Sequence, residues 1–101
     1  MSDDSVMLLR EVLVRLAKTS LVEADRRMAE ARGHLVQGDL TRAGGALRRA
    51  QDLTNDAHAL AASPPLRQLG VKLDDILKDA SARRASLTSL TDELREARGK
   101  S

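Results

Sequence analysis

Apolar residues recur along this chain at alternating steps of three and four, the spacing that keeps one face of an α-helix in register. The longest run is Leu66, Leu69, Leu73, Ile76, Ala80, Leu87, Leu90, Leu94 and Ala97, interrupted only by Arg83. It predicts a helix over about residues 64–98, with one face to be buried against other helices for about 50 Å. An earlier helix is expected over about 4–36. Its first face uses Val6, Leu9, Leu13 and Leu16, and its second uses Ala17, Leu21, Ala24, Met28, Ala31 and Leu35. The steps Leu9, Leu13, Ala17 insert a four-residue stutter, which should locally unwind the supercoil or redirect the face toward a different neighbour. Ser2 or Asp3 supplies a cap for this helix.

Gly38-Asp39 reads as a turn followed by a helix N-cap, because Gly tolerates the turn's backbone and the Asp carboxylate can accept the next amides. The helix that follows, about 39–62, carries Leu40, Ala43, Leu47, Ala50, Thr54, Ala57 and Ala61. Ala46, Leu53 and Leu60 widen its apolar side, as the middle member of a bundle requires. Gly44-Gly45 is expected to let another backbone approach closely. Ser63-Pro64-Pro65 ends this helix and starts the next, with Ser63 as cap and Pro64 at the first helical position.

Short connections join antiparallel neighbours, so the expected fold is all-α: one domain, residues 1–101, forming an elongated antiparallel three-helix bundle assembled through coiled-coil-like contacts. With the middle helix shortest, the ends of the outer helices should protrude and expose apolar positions to a second copy or another protein. The expected interface is Leu73, Ile76, Leu87, Leu90 and Leu94. Arg83 has two readings: pairing with an acid across a helix interface, which would set register or orientation, or snorkelling to water.

Composition narrows the chemistry. The chain has no Phe, Tyr or Trp, which removes aromatic hot spots and base-stacking platforms. Seventeen Lys or Arg against fifteen Asp or Glu, interspersed, read as a solvated helical surface. The doublets Arg26-Arg27, Arg48-Arg49 and Arg83-Arg84 supply an alternative nucleic-acid surface if folding brings them together. With no cysteine, disulfide and thiol chemistry are excluded, and a reducing compartment fits. The N-terminal segment mixes Arg10, Glu11 and Arg15 into its apolar residues, which argues against a signal peptide or membrane span and for the cytoplasm. His34 and His58 lack metal-site spacing with the nearest acids. The acidic pairs Asp74-Asp75 and Asp92-Glu93 are adjacent and point apart around a helix, and no His-based signature activates Ser81, Ser86 or Ser89. No catalytic residue, cofactor or metal is expected.

Ala31 and His34, then Gly38, Leu40, Ala43, Leu47 and Ala50, follow a spaced pattern across the first turn. It resembles one tetratricopeptide repeat centred on its interhelix turn, over about residues 24–57. Arg27 and Asn55 stand where that family carries its tryptophan-like residue and its proline. The resemblance implies close helix packing and peptide or protein binding. Together these readings point to a small interaction, adaptor or regulatory subunit. Its expected partners are an unidentified protein and a second copy, with a homodimer favoured over higher oligomers.

Overall fold

The computed structural model describes residues 3–100. Three long helices, α1 (Asp3–Val36), α2 (Leu40–Ala61) and α4 (Asp74–Gly99), run up, down and up, with a short α3 (Pro64–Gln68) before the last. They form an elongated all-α three-helix bundle, 58 × 17 × 15 Å, in which α2 lies against both α1 and α4. The cap expected at Ser2 or Asp3 lies outside the described residues and side chains.

The α1–α2 turn follows from two local residues. Gly38 adopts a positive φ of 78°, and two bonds close the end of α1: Asp39 N–H donates to the His34 carbonyl at 2.9 Å and Gly38 N–H to that of Leu35 at 3.1 Å. This pair of bonds is the Schellman arrangement, which satisfies carbonyls left open at a helix C-terminus. Asp39 then caps α2, its carboxylate accepting from the Arg42 amide at 3.1 Å. One residue thus ends one helix and begins the next.

Beyond the turn the two helices are zipped by alanine. Ala17, Ala24 and Ala31 of α1 recur every seven residues, as do Ala43, Ala50 and Ala57 of α2, and all six are buried. The two sets mirror each other about Gln37, so antiparallel packing stacks small residues in layers and lets the helix axes approach. Larger side chains fill the spaces between layers. Met28, Leu47, Leu53, Leu87, Leu90 and Leu94 form a core near the α1–α2 turn, and Leu21, Val71, Leu73 and Ile76 form a second near the opposite end. Thr54 is fully buried where these two cores meet along α2, and its hydroxyl donates to the Ala50 carbonyl at 2.8 Å, so that buried hydroxyl has a partner.

The third helix departs from its expected course. Instead of one helix over 64–98 there are two, because Gly70 adopts a positive φ of 84° and closes a second Schellman arrangement. Gly70 N–H donates to the Arg67 carbonyl at 3.0 Å and Val71 N–H to that of Leu66 at 2.9 Å. Val71 is buried in place of Leu69, which is left 48% exposed. The apolar lattice runs across the break, and the glycine's conformation overrides it. Ser63 is the N-cap of α3 as expected, yet its side chain makes no capping bond. With Pro65 at the second helical position, one of the two amides a cap would serve does not exist.

Two smaller expectations also change. Leu16 is exposed, because the stutter carries the buried face from Leu13 to Ala17. Gly44 admits no backbone: a Cβ there would meet the Arg98 guanidinium and the Leu94 side chain, and at Gly45 it would meet nothing.

Candidate interaction surface

The five residues expected to meet a partner do not reach the surface. Leu73, Ile76, Leu87, Leu90 and Leu94 are all buried within the chain. The break at Gly70 shortens the last helix to 26 residues, so its stripe is covered along its length by α1 and α2 and little of it is left over. These side chains hold the fold and are not available to a partner.

Arg83 resolves in favour of pairing. Its Nε and Nη2 donate to the two carboxylate oxygens of Asp25 on α1, both at 2.9 Å, while Nη1 donates to the Asp79 carbonyl one turn earlier at 3.1 Å. The bidentate geometry fixes the relative height of α1 and α4 at one point. The pair is only partly buried, Asp25 being half-exposed, so its worth is modest. A double-mutant cycle with Arg83→Ala and Asp25→Ala should give a coupling of about 0.5–1.5 kcal/mol by thermal or urea unfolding, smaller in 1 M salt. Zero coupling would reduce Arg83 to a packing role.

The six arginines offered as a nucleic-acid surface do not converge. Arg26 and Arg27 pair with Glu23, Arg27 also reaches Glu30 at 3.1 Å, and Arg83 is held by Asp25. Arg49 is exposed and lies off the cleft described next. Arg48 and Arg84 do share a cleft, which runs between α2 and α4 as two adjoining hollows of about 400 and 520 Å³. Arg95 and Arg98 line it as well, opposed by Asp92. Sequence reading missed these two because they stand singly; their spacing of three, with Arg84 eleven residues earlier, puts all three on one side of α4. Arg84 Nη2 donates to the Asn55 side chain at 3.2 Å and Gln51 Nε2 to the Thr91 hydroxyl at 3.4 Å, tying the cleft walls together.

The most unusual surface is on α1. Leu8, Val12 and Leu16 are 63%, 55% and 58% exposed, and their i, i+4, i+8 spacing forms one ridge on the side of the helix away from Ala17, Leu21 and Ala24. By the mirrored register, the part of α1 before Leu13 extends past the end of α2. It is covered on its inner side only, where Val6, Leu9, Leu13 and Val14 pack near Leu66, Val71 and Leu77. Arg10 Nε donates to the Lys72 carbonyl at 3.1 Å and holds the α3–α4 connection against that inner side. The outer ridge has no such cover. Outer helix ends were expected to expose apolar residues; the structure puts that exposure on α1.

His34 lies in the last turn of α1 and His58 in the last turn of α2, toward opposite ends of the bundle. Among the described residues, no three His, Asp or Glu side chains gather as a metal site, and no helix is long and apolar enough to cross a membrane. Comparison of the chain with protein-family models, curated proteins and solved structures finds no match.

Proposed function

We propose that this chain is a small, non-enzymatic interaction protein of the cytoplasm, an adaptor or regulatory subunit, that engages its partner through the outer face of the N-terminal half of α1. The observation that carries the reading is the ridge Leu8, Val12, Leu16, exposed on a helix whose opposite face is already committed to the core. A helix apolar on both sides buries only one of them in this bundle, and the other gains from a second helix laid across it. Coiled-coil-like packing of that kind needs no cofactor. Binding acts by position: apolar side chains supply affinity and flanking charges select orientation. The tetratricopeptide-like residues of the α1–α2 hairpin, with Ala31, Ala43, Leu47 and Ala50 buried between its helices, support the same class.

A second reading rests on the α2–α4 cleft. Arg48, Arg84, Arg95 and Arg98 against Asp92 make it net basic, suited to a phosphate backbone. One experiment separates the two. Affinity purification from native cells, with co-purifying protein and nucleic acid both identified, should recover a protein that is lost when Leu8, Val12 and Leu16 are replaced by Ser. Recovery of nucleic acid insensitive to that change, but lost at moderate salt, would favour the cleft instead.

A further inference from the structure

We infer that the cleft between α2 and α4 seats an acidic α-helix of a partner protein, whose row of Asp or Glu side chains lies along the cleft and pairs with its arginines. This face is separate from the α1 ridge and does not depend on it. Both walls of the cleft repeat at helical spacing. On α2, Thr41, Gly44, Arg48, Gln51 and Asn55 follow one another by three and four, and on α4 so do Arg84, Thr88, Thr91, Arg95 and Arg98. The two hollows adjoin at Gln51 and Thr91, which line both. Facing rows of this kind make a straight groove of about 21 Å, fourteen residues at 1.5 Å each. A third helix laid along it can match that period turn for turn, which an extended chain, rising about twice as far per residue, does not.

Charge determines what that helix presents. The four cations on the cleft are all arginine, whose forked guanidinium takes a carboxylate by two bonds. Arg26, Arg27, Arg42 and Arg83 already have carboxylates of this chain within 3.7 Å. No ion pair among the described residues takes up Arg48, Arg84 or Arg95, although Asp92 stands three residues from Arg95. Arg98 reaches the cleft across a glycine: a Cβ on Gly44 would stand 2.9 Å from its Nη2, and it lines the same hollow as Arg48. Acids border this basic strip on both sides. Asp52 and Asp56 follow Arg48 by four and eight, Asp92 and Glu96 follow Thr88 likewise, and all four are exposed. Rows spaced by four drift around a helix, here outward from the groove floor. A narrow acidic row with basic flanks answers that pattern. A nucleic-acid duplex is wider than the strip and meets its acidic borders, and a single strand finds no Phe, Tyr or Trp on which to stack.

The probe is a fluorescent helical peptide of about eighteen residues, with Glu at alternating steps of three and four on one face, Lys on the flanks and Ala elsewhere. Fluorescence anisotropy at low salt should show it binding the full chain, while a scrambled peptide of the same composition and a Glu→Gln peptide should bind far more weakly. Arg48→Gln combined with Arg95→Gln should weaken binding roughly 5- to 30-fold. Both side chains are exposed, so the circular dichroism melt should be unchanged. Arg49→Gln, exposed but off the cleft, should bind as the wild type does, and so should the Leu8→Ser, Val12→Ser, Leu16→Ser variant. No binding, or equal binding of the scrambled or Gln peptide, would overturn the acidic helix as occupant and leave the α1 reading untouched. Loss of binding in the ridge variant would put the peptide on α1 and overturn it as well. Tighter binding of a duplex or single-stranded oligonucleotide, lost in the same arginine variant, would assign the cleft to nucleic acid instead.

Discussion

Leu90→Asp is expected to abolish folding. Leu90 is 2% exposed on α4, in the core it shares with Met28, Leu47 and Leu53. A carboxylate there would lose its water among Leu and Ala side chains with no cation to answer it, and the Leu's own burial, worth about 1.5–3 kcal/mol, would be lost as well. The summed cost of several kcal/mol is comparable to the entire stability of a typical domain, about 5–15 kcal/mol. A bundle without aromatic residues has little reserve. Leu73→Asp should do the same from the opposite core. Circular dichroism at 25 °C should show lost helix and no cooperative melt for either variant, and a wild-type melt for either would contradict the burial of the α4 stripe.

Ala50→Leu should be nearly as damaging for the opposite reason. Ala24 and Ala50 are both fully buried and occupy mirrored positions in the alanine layers of α1 and α2. Three additional heavy atoms at Ala50 have no space unless the helices separate, and separation would open the neighbouring layers formed by Ala17, Ala31, Ala43 and Ala57. Overpacking of this kind costs about 1–3 kcal/mol where the backbone can yield. Here the layers are linked along the hairpin, so the upper part of that range is expected, read as a lower midpoint in urea. Ala50→Ser, nearly equal in volume, should be far milder. If Leu were tolerated as well as Ser, the helices would not be as close as the alanines require.

Much of this architecture was legible in the sequence where one local rule acted alone. Gly38-Asp39 had turn and cap chemistry and interrupted no apolar row, so the end of α1 and start of α2 fell where expected. At Gly70 two rules conflicted. Leu66, Leu69, Leu73 and Ile76 kept helical spacing through the glycine, and the pattern concealed that Val71 could replace Leu69 in the core once the chain turned. The error misplaced the expected interface as well, since a continuous helix would have projected Leu87, Leu90 and Leu94 beyond the bundle. The ridge on α1 was obscured for a different reason. Around Leu8 to Ala17 most positions are apolar, so periodicity alone could not say which row faced inward. That choice is made by the α3–α4 connection, where the Lys72 carbonyl accepts from Arg10 and Val71 and Leu73 join the core beneath α1. Arg83 was recognised as the polar break in its stripe, but Asp25 lies 58 residues away and only the helix register brings them together.

The central claim is that two sets of apolar residues have separate duties: the α4 stripe holds the chain folded, and the α1 ridge holds its partner. Light scattering with size-exclusion chromatography over a wide concentration range, run on the wild type and on the Leu8→Ser, Val12→Ser, Leu16→Ser triple variant, tests that separation most directly. The wild type should shift from monomer toward dimer mass as concentration rises, and the variant should stay a folded monomer with an undiminished melting temperature. A triple variant that unfolds, or one that shifts toward dimer mass as the wild type does, would contradict it.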